Sequence, residues 1–211
     1  MHPPDCPVWE YADHPRRDQV LRLEIPHILI GLRSGKIKAE TLAGDSRSLH
    51  GRIFSSLTPP GYEYYAGHFR GENFRCLKFS MVTAGGDPRV GYLPQTVRAT
   101  MDAFEYRARV ALSKIDDLID PLARLTFAVR LAGQLFELFL RIHPYVNGNG
   151  HIARLVVWSV LGRYGYWPER WPVEPRPPDP PYTDMILAHR NGNPQPLEEF
   201  LVRIVLGYPT A

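Results

Sequence analysis

One run of residues in this chain brings together side chains and backbone groups that can do chemistry: His143-Pro144-Tyr145-Val146-Asn147-Gly148-Asn149-Gly150-His151-Ile152-Ala153-Arg154. Gly148 and Gly150 leave backbone amides unobstructed where a helix begins. Those amides, with the positive end of the helix dipole, form an anion site suited to phosphate. Arg154 lies four residues beyond Gly150 on the same helical face, so its guanidinium can reach back toward a bound anion. His143 ends the preceding helix beside this site, and an imidazole there can take a proton from a hydroxyl nucleophile. On residue types alone a plainer reading stands beside this one. Asn147-Gly148-Asn149-Gly150 is then a flexible turn, Pro144 a helix stop and His143 a capping side chain.

The flanking patterns supply the elements that would hold such a site. Asp120-Pro121 pairs an N-cap with proline at the first helical position, opening a helix through Leu125, Val129, Ala132, Phe136, Phe139 and Leu140. Its apolar residues lie on all sides, which predicts a central, buried helix. After the loop, Ile152, Leu155, Val156, Ser159 and Val160 continue as a second helix that Gly165 can close. Upstream of both, Val97, Met101, Phe104, Ala108 and Leu112 form one stripe.

The segment from Asp18 to Ile37 is helical in pattern, with Pro26 expected to kink or split it, and Leu49, Ile53 and Leu57 mark a short helix before Pro59-Pro60. Glycines 67, 71, 85, 86 and 91 punctuate extended pieces. Phe79, Met81 and Thr83, then Val90 and Tyr92, read as a hairpin around Gly85-Gly86-Asp87-Pro88. Seven prolines between Pro168 and Pro181 predict a stiff connection outside the core, followed by a helical pair from Met185 to Arg190 and from Leu197 to Val205. The expectation is an all-α fold with a small β-hairpin flap, residues 1–48 forming a helical extension and 49–211 the main domain.

Composition narrows the classes. A chain of 211 residues with 44% hydrophobic and 22% charged residues suffices for one buried core. A net charge of +3 without a basic cluster argues against nucleic acid as partner. No apolar run suggests a membrane span, and the first residues lack the order of a signal peptide. Cytoplasmic location follows as the expectation, although export without a cleaved signal would leave no trace. Cys6 and Cys76 have neither framework nor metal spacing and read as free thiols in a reducing compartment.

The loop resembles the signature of the Fic family of the Fic/Doc superfamily: His-Pro-Phe, any residue, Asp or Glu, Gly-Asn-Gly-Arg, two residues, Arg. His143, Pro144, Gly148, Asn149, Gly150 and Arg154 match, and Tyr145 replaces Phe. Leu49-His50, Gly67-His68-Phe69-Arg70 and the stretch from Phe79 to Leu93 extend the likeness, so that it covers Leu49 to Phe200. The resemblance implies transfer of a nucleoside monophosphate, most often AMP from ATP with Mg2+ or Mn2+, onto a Ser, Thr or Tyr hydroxyl of a target protein. His143 would be the base, Gly148, Asn149 and Gly150 the anion hole, and Arg154 the grip on the phosphate end. Tyr145 would aim the loop from the core. Arg70 would line the nucleotide pocket, and a flap carrying Met81, Val82, Val90 and Gly91 would dock the target by strand addition.

Two positions depart from the signature. Asn147 stands at the acidic metal position, and its amide oxygen is a poorer ligand for magnesium. His151 replaces the first arginine and loses a permanent forked charge while remaining a phosphate-site candidate. Three readings follow: an atypical transferase, a nucleotide- or target-binding module that has lost chemistry, and a structural partner. No Glu sits in the family's inhibitory-helix context, so either a separate inhibitory protein restrains the enzyme or the weakened site makes restraint unnecessary. His50, His68 and His189 read as structural, and Trp158, Trp167 and Trp171 as packing the motif helix against the proline-rich connection.

Overall fold

A computed structural model of the chain describes residues 5–83 and 86–208. Among these, eight α-helices carry the fold: α1 (Arg17–Arg33), α2 (Ala39–Gly44), α3 (Arg47–Phe54), α4 (Pro94–Asp116), α5 (Pro121–Ile142), α6 (Asn149–Gly162), α7 (Tyr182–Arg190) and α8 (Gln195–Val205). The central position belongs to α5, packed by α4, α6, α7 and α8. Its start is as the sequence dictates: Asp120 accepts hydrogen bonds from the Leu122 and Ala123 amides, and Pro121 occupies the first turn. The α4 stripe from Val97 to Leu112 is fully buried against it.

α6 is apolar on nearly every side and buried along its whole length, enclosed by α5, α2 and α1. The short α2 has no clear pattern in the sequence, yet Leu42, Ala43 and Gly44 wedge between α4 and α6.

Four expectations are corrected. Pro26 does not split α1, which runs unbroken because Leu21, Ile25, Ile28 and Leu32 bury one continuous face against α3 and α6. That packing offsets the hydrogen bond that Pro26 cannot donate to Arg22. The proline-rich connection is not outside the core: Trp171 and Val173 are buried, Trp171 against Phe136, Tyr182 and Phe200. Trp158 donates its indole N–H to the Trp171 carbonyl at 2.7 Å, which ties α6 to this connection as the tryptophans suggested.

The hairpin flap does not form strands among the described residues, and of its expected turn at Gly85-Gly86-Asp87-Pro88 the first residue lies outside them. Its arms run side by side where a Cβ on Gly91 would meet the Val82 carbonyl at 2.0 Å. The second arm's amides are spent elsewhere, since those of Gly91 and Tyr92 donate to the Arg141 and Ile142 carbonyls at the end of α5. Val90 is buried and Met81 is exposed, so the four flap residues do not share one docking edge.

Finally, Cys6 and Cys76 are not free thiols but a disulfide, their Cα atoms 5.7 Å apart. Their separation of 70 residues carries no information on distance; the fold supplies it. Among the described residues no helix is long and apolar enough to cross a membrane.

Candidate functional site

α5 ends at His143, whose backbone adopts the left-handed region at φ 54°, an uncommon conformation for any residue but glycine. Three bonds hold it there. Its amide donates to the Phe139 carbonyl, its Nδ1 meets the Leu140 carbonyl at 3.0 Å, and its own carbonyl accepts from Arg70 Nε at 2.8 Å. The Nδ1–carbonyl bond assigns the proton to Nδ1, so Nε2 keeps its lone pair, and no described residue hydrogen-bonds to it. Burial pushes the imidazole down to about 4, with Arg70 and Arg190 adding repulsion. At neutral pH His143 is an uncharged proton acceptor.

Arg70 does not line a nucleotide pocket. It is fully buried, and its guanidinium donates to the carbonyls of His143, Ser80, Tyr92 and Ile142 at 2.8–3.1 Å. One side chain thus fastens both roots of the flap to the end of α5. Desolvation lowers it to about 10, which leaves it charged at neutral pH.

The loop after His143 is clamped from inside. Tyr145 is buried, its hydroxyl 2.8 Å from Ser46 Oγ and its ring stacked on His50 at 3.7 Å. His50 accepts from the Gly67 amide at Nδ1, which leaves Nε2–H to donate to the Asn147 carbonyl at 3.0 Å. Burial drives His50 down to about 3. Asn149 spends its side chain on Tyr145, accepting from its amide and donating to its carbonyl, both at 2.9 Å. Its contribution to an anion is therefore its backbone amide. Gly148 caps α6 at φ 76°, and the amides of Asn149 and Gly150 fall in the first turn, where a helix offers them no acceptor. Arg154 does reach back: its Nη1 lies 3.1 Å from the point a Cβ on Gly150 would occupy.

A proton acceptor, unpaired helix-start amides and a cation behind them now stand on one loop, and a comparison with protein families gives that loop its relatives. The model of the Fic/DOC family matches residues 43–161, more than half of the chain. The chain belongs to the Fic/DOC family. No curated protein matches it in sequence. Within the Fic/DOC fold the matched span runs from the end of α2 to the end of α6, so that the flap roots, α4 and α5 all belong to it.

In this Fic/DOC loop the two atypical positions are engaged by the chain itself. Asn147 Nδ2 donates to the Trp9 carbonyl at 3.0 Å and to Glu10 Oε1 at 3.2 Å, while its Oδ1 accepts from the Gly148 amide. His151 Nε2 lies 2.7 Å from Glu174, and its Nδ1 is 3.3 Å from the Tyr11 hydroxyl. Burial lowers His151, so it is neutral at pH 7 and donates Nε2–H to Glu174. Glu174 also accepts from Arg17 at 2.5 Å, and these two partners hold its carboxyl down to about 2. Arg154 donates Nε–H to the Val173 carbonyl at 2.8 Å and Nη1–H to the Tyr182 hydroxyl at 3.4 Å.

These residues do not fit a magnesium ion in this arrangement. The oxygen of Asn147 is already an acceptor, the nearest carboxylates are paired, and among the described residues no three His, Cys, Asp or Glu side chains form a metal-type group. Trp9, Glu10, Tyr11 and Glu174 were not legible as site residues, because nothing in their local spacing distinguishes them. Their role arises only when segments distant in sequence fold over the loop.

Proposed function

We propose that the protein is a Fic-type transferase that moves a phosphate-containing group, foremost AMP from ATP, onto a hydroxyl of a target protein. The observation that carries this reading is His143, a neutral imidazole with Nδ1–H anchored on Leu140 and Nε2 unbonded, held in a left-handed turn beside the glycine loop. A binding module has no use for an acceptor oriented in this way. In the transfer, the target O–H gives its proton to Nε2 as the oxygen forms a bond to phosphorus and the bond to the departing phosphate group breaks. The amides of Asn149 and Gly150 and the start of α6 stabilise charge on the phosphoryl oxygens, with Arg154 behind them. Exposed Phe79 and Met81 on the first flap arm offer the target an apolar contact beside the loop.

The occupied Asn147 and His151 favour a second reading, a Fic/DOC fold that binds and no longer transfers. Labelled ATP with a lysate, with and without magnesium or manganese, separates the two. The informative protein is the double variant Asn147→Asp, His151→Arg, which restores a carboxylate and a forked cation. Its new charges also act on the closed arrangement, since a carboxylate at position 147 would face the Trp9 carbonyl and Glu10. Magnesium-dependent transfer is expected to exceed that of the parent and to depend on His143. A folded double variant that neither binds nor transfers any adenine nucleotide overturns the transferase reading.

A further inference from the structure

The segment of residues 5–13 has little regular structure, a single turn of 3-10 helix at Tyr11–Asp13, yet it lies directly on the loop. Trp9 and Glu10 accept from Asn147, and Tyr11 meets His151. Both signature departures therefore face this segment. It is held at both ends. On one side it enters α1, and on the other Cys6 is bonded to Cys76, in the stretch that follows Arg70 and leads to the first flap arm. Between these anchors its hold on the core centres on two rings: buried Trp9 donates to the Leu57 carbonyl and packs on His50, Phe54 and Tyr65, and Tyr11 packs on Phe54 and His151, while the Tyr65 hydroxyl donates to the Pro7 carbonyl. Glu10 is exposed beside Asn147, so the segment also brings a carboxylate to the edge of a site built for anions.

We propose that residues 5–13 form a thiol-controlled latch: with Cys6–Cys76 intact the segment closes the glycine loop, and reduction by a dithiol releases it and admits a phosphate-bearing ligand. The reduction breaks the S–S bond. The dithiol supplies two electrons and two protons, closing to a disulfide itself and leaving thiols at Cys6 and Cys76. Cys76 is fully buried whereas Cys6 keeps slight exposure next to the exposed Val8, so attack falls on the Cys6 sulfur. Once that bond is gone, Trp9 and Tyr11 lose the second anchor that keeps them at high local concentration over the loop. Glu10 leaves with them, and the electrostatic obstacle to phosphate falls. Disulfides persist in oxidising surroundings and are reduced in the cytosol. The latch therefore keeps the loop closed in the first and opens it in the second. The ligand half of this inference rests on the nucleotide reading above; the movement of the segment does not.

The test uses the full chain, oxidised or treated with dithiothreitol, with two free thiols confirmed by alkylation. Hydrogen exchange followed by mass spectrometry is expected to show amides of residues 8–13 exchanging at least about ten-fold faster after reduction, those of 147–154 also faster, and those of α5 still the slowest in the chain. The double variant Cys6→Ser, Cys76→Ser should match the reduced protein without any reductant; should it fail to fold, in-place reduction of the parent still decides. Calorimetry with ATP is expected to give binding at least about five-fold tighter in the reduced form. Unchanged protection of residues 8–13 in fully reduced protein overturns the latch, and so does release of the segment with no change at 147–154. If both regions open and ATP still does not bind, the latch stands and the nucleotide reading falls.

Discussion

Gly148 is demanded twice over, by a backbone at φ 76° and by the Phe54 ring, whose Cε2 would lie 2.5 Å from an added methyl group. Gly148→Ala is expected to cost roughly 2–4 kcal/mol, read as a lowered Tm, because neither the turn nor the ring can yield cheaply. His143 behaves differently. It caps a helix without filling the core, so His143→Ala should leave Tm nearly unchanged while transfer falls about 100-fold or more. Retained transfer in that variant would remove the residue from the reaction. His50 makes the loop sensitive to acid. Its pKa is about 3 folded against an ordinary value near 6.5, so below that value the unfolded chain binds more protons, and stability falls as pH drops from 6.5 toward 3. From pH 7 to pH 5 this one group is expected to remove about 2 kcal/mol, and His143, at about 4, adds to the loss in the same window. Calorimetric Tm measured across pH should show the decline, with a shallower slope in His50→Gln. The base and the glycines were legible because their chemistry is local. The roles of His50 and Arg70 were not, since both act on backbone carbonyls far away in sequence, which no residue pattern records.

Helices read well from periodicity when their own faces decide their burial, as in α4, α5 and α8. The readings that failed share a cause: a local signal was overridden by a distant partner. Pro26 signals a break, and the buried face of α1 carries the helix through it. This leaves a removable defect on an exposed position. Pro26→Ala restores a donor to the Arg22 carbonyl and is expected to stabilise the protein by about 1–3 kcal/mol, measured by denaturant midpoint; a loss of stability would show that the proline serves the packing of α1. The flap arms alternate as strands should, but Arg70 and the end of α5 take the Ser80 and Tyr92 carbonyls and the Gly91 and Tyr92 amides at their roots. The 14 residues from Pro168 to Pro181 have the composition of a linker, while Trp171 sinks among Phe136, Tyr182 and Phe200 because a large aromatic outweighs the prolines around it.

For the molecule as a whole, the family match and the disulfide act on different scales. The first covers the helices that carry the loop; the second joins a segment ahead of α1 to the base of the flap. Closing a loop of 70 residues restricts the unfolded chain by roughly 4 kcal/mol in a chain-entropy account, so reduction is expected to lower Tm by about 10 °C with helical content retained below the transition. A shift of only a degree or two would mean that the unfolded chain keeps these regions together without the bond. Arg70 has a consequence for how such an opening could be watched. Its N–H groups point at four carbonyls inside the fold, away from the water that strips protons from surface guanidinium groups within milliseconds. In a nitrogen-edited NMR spectrum at neutral pH, the Nε–H of Arg70 should therefore stand out as a sharp, slowly exchanging resonance. That single line reports whether the end of α5 and both roots of the flap are still joined, whatever the segment above the loop is doing.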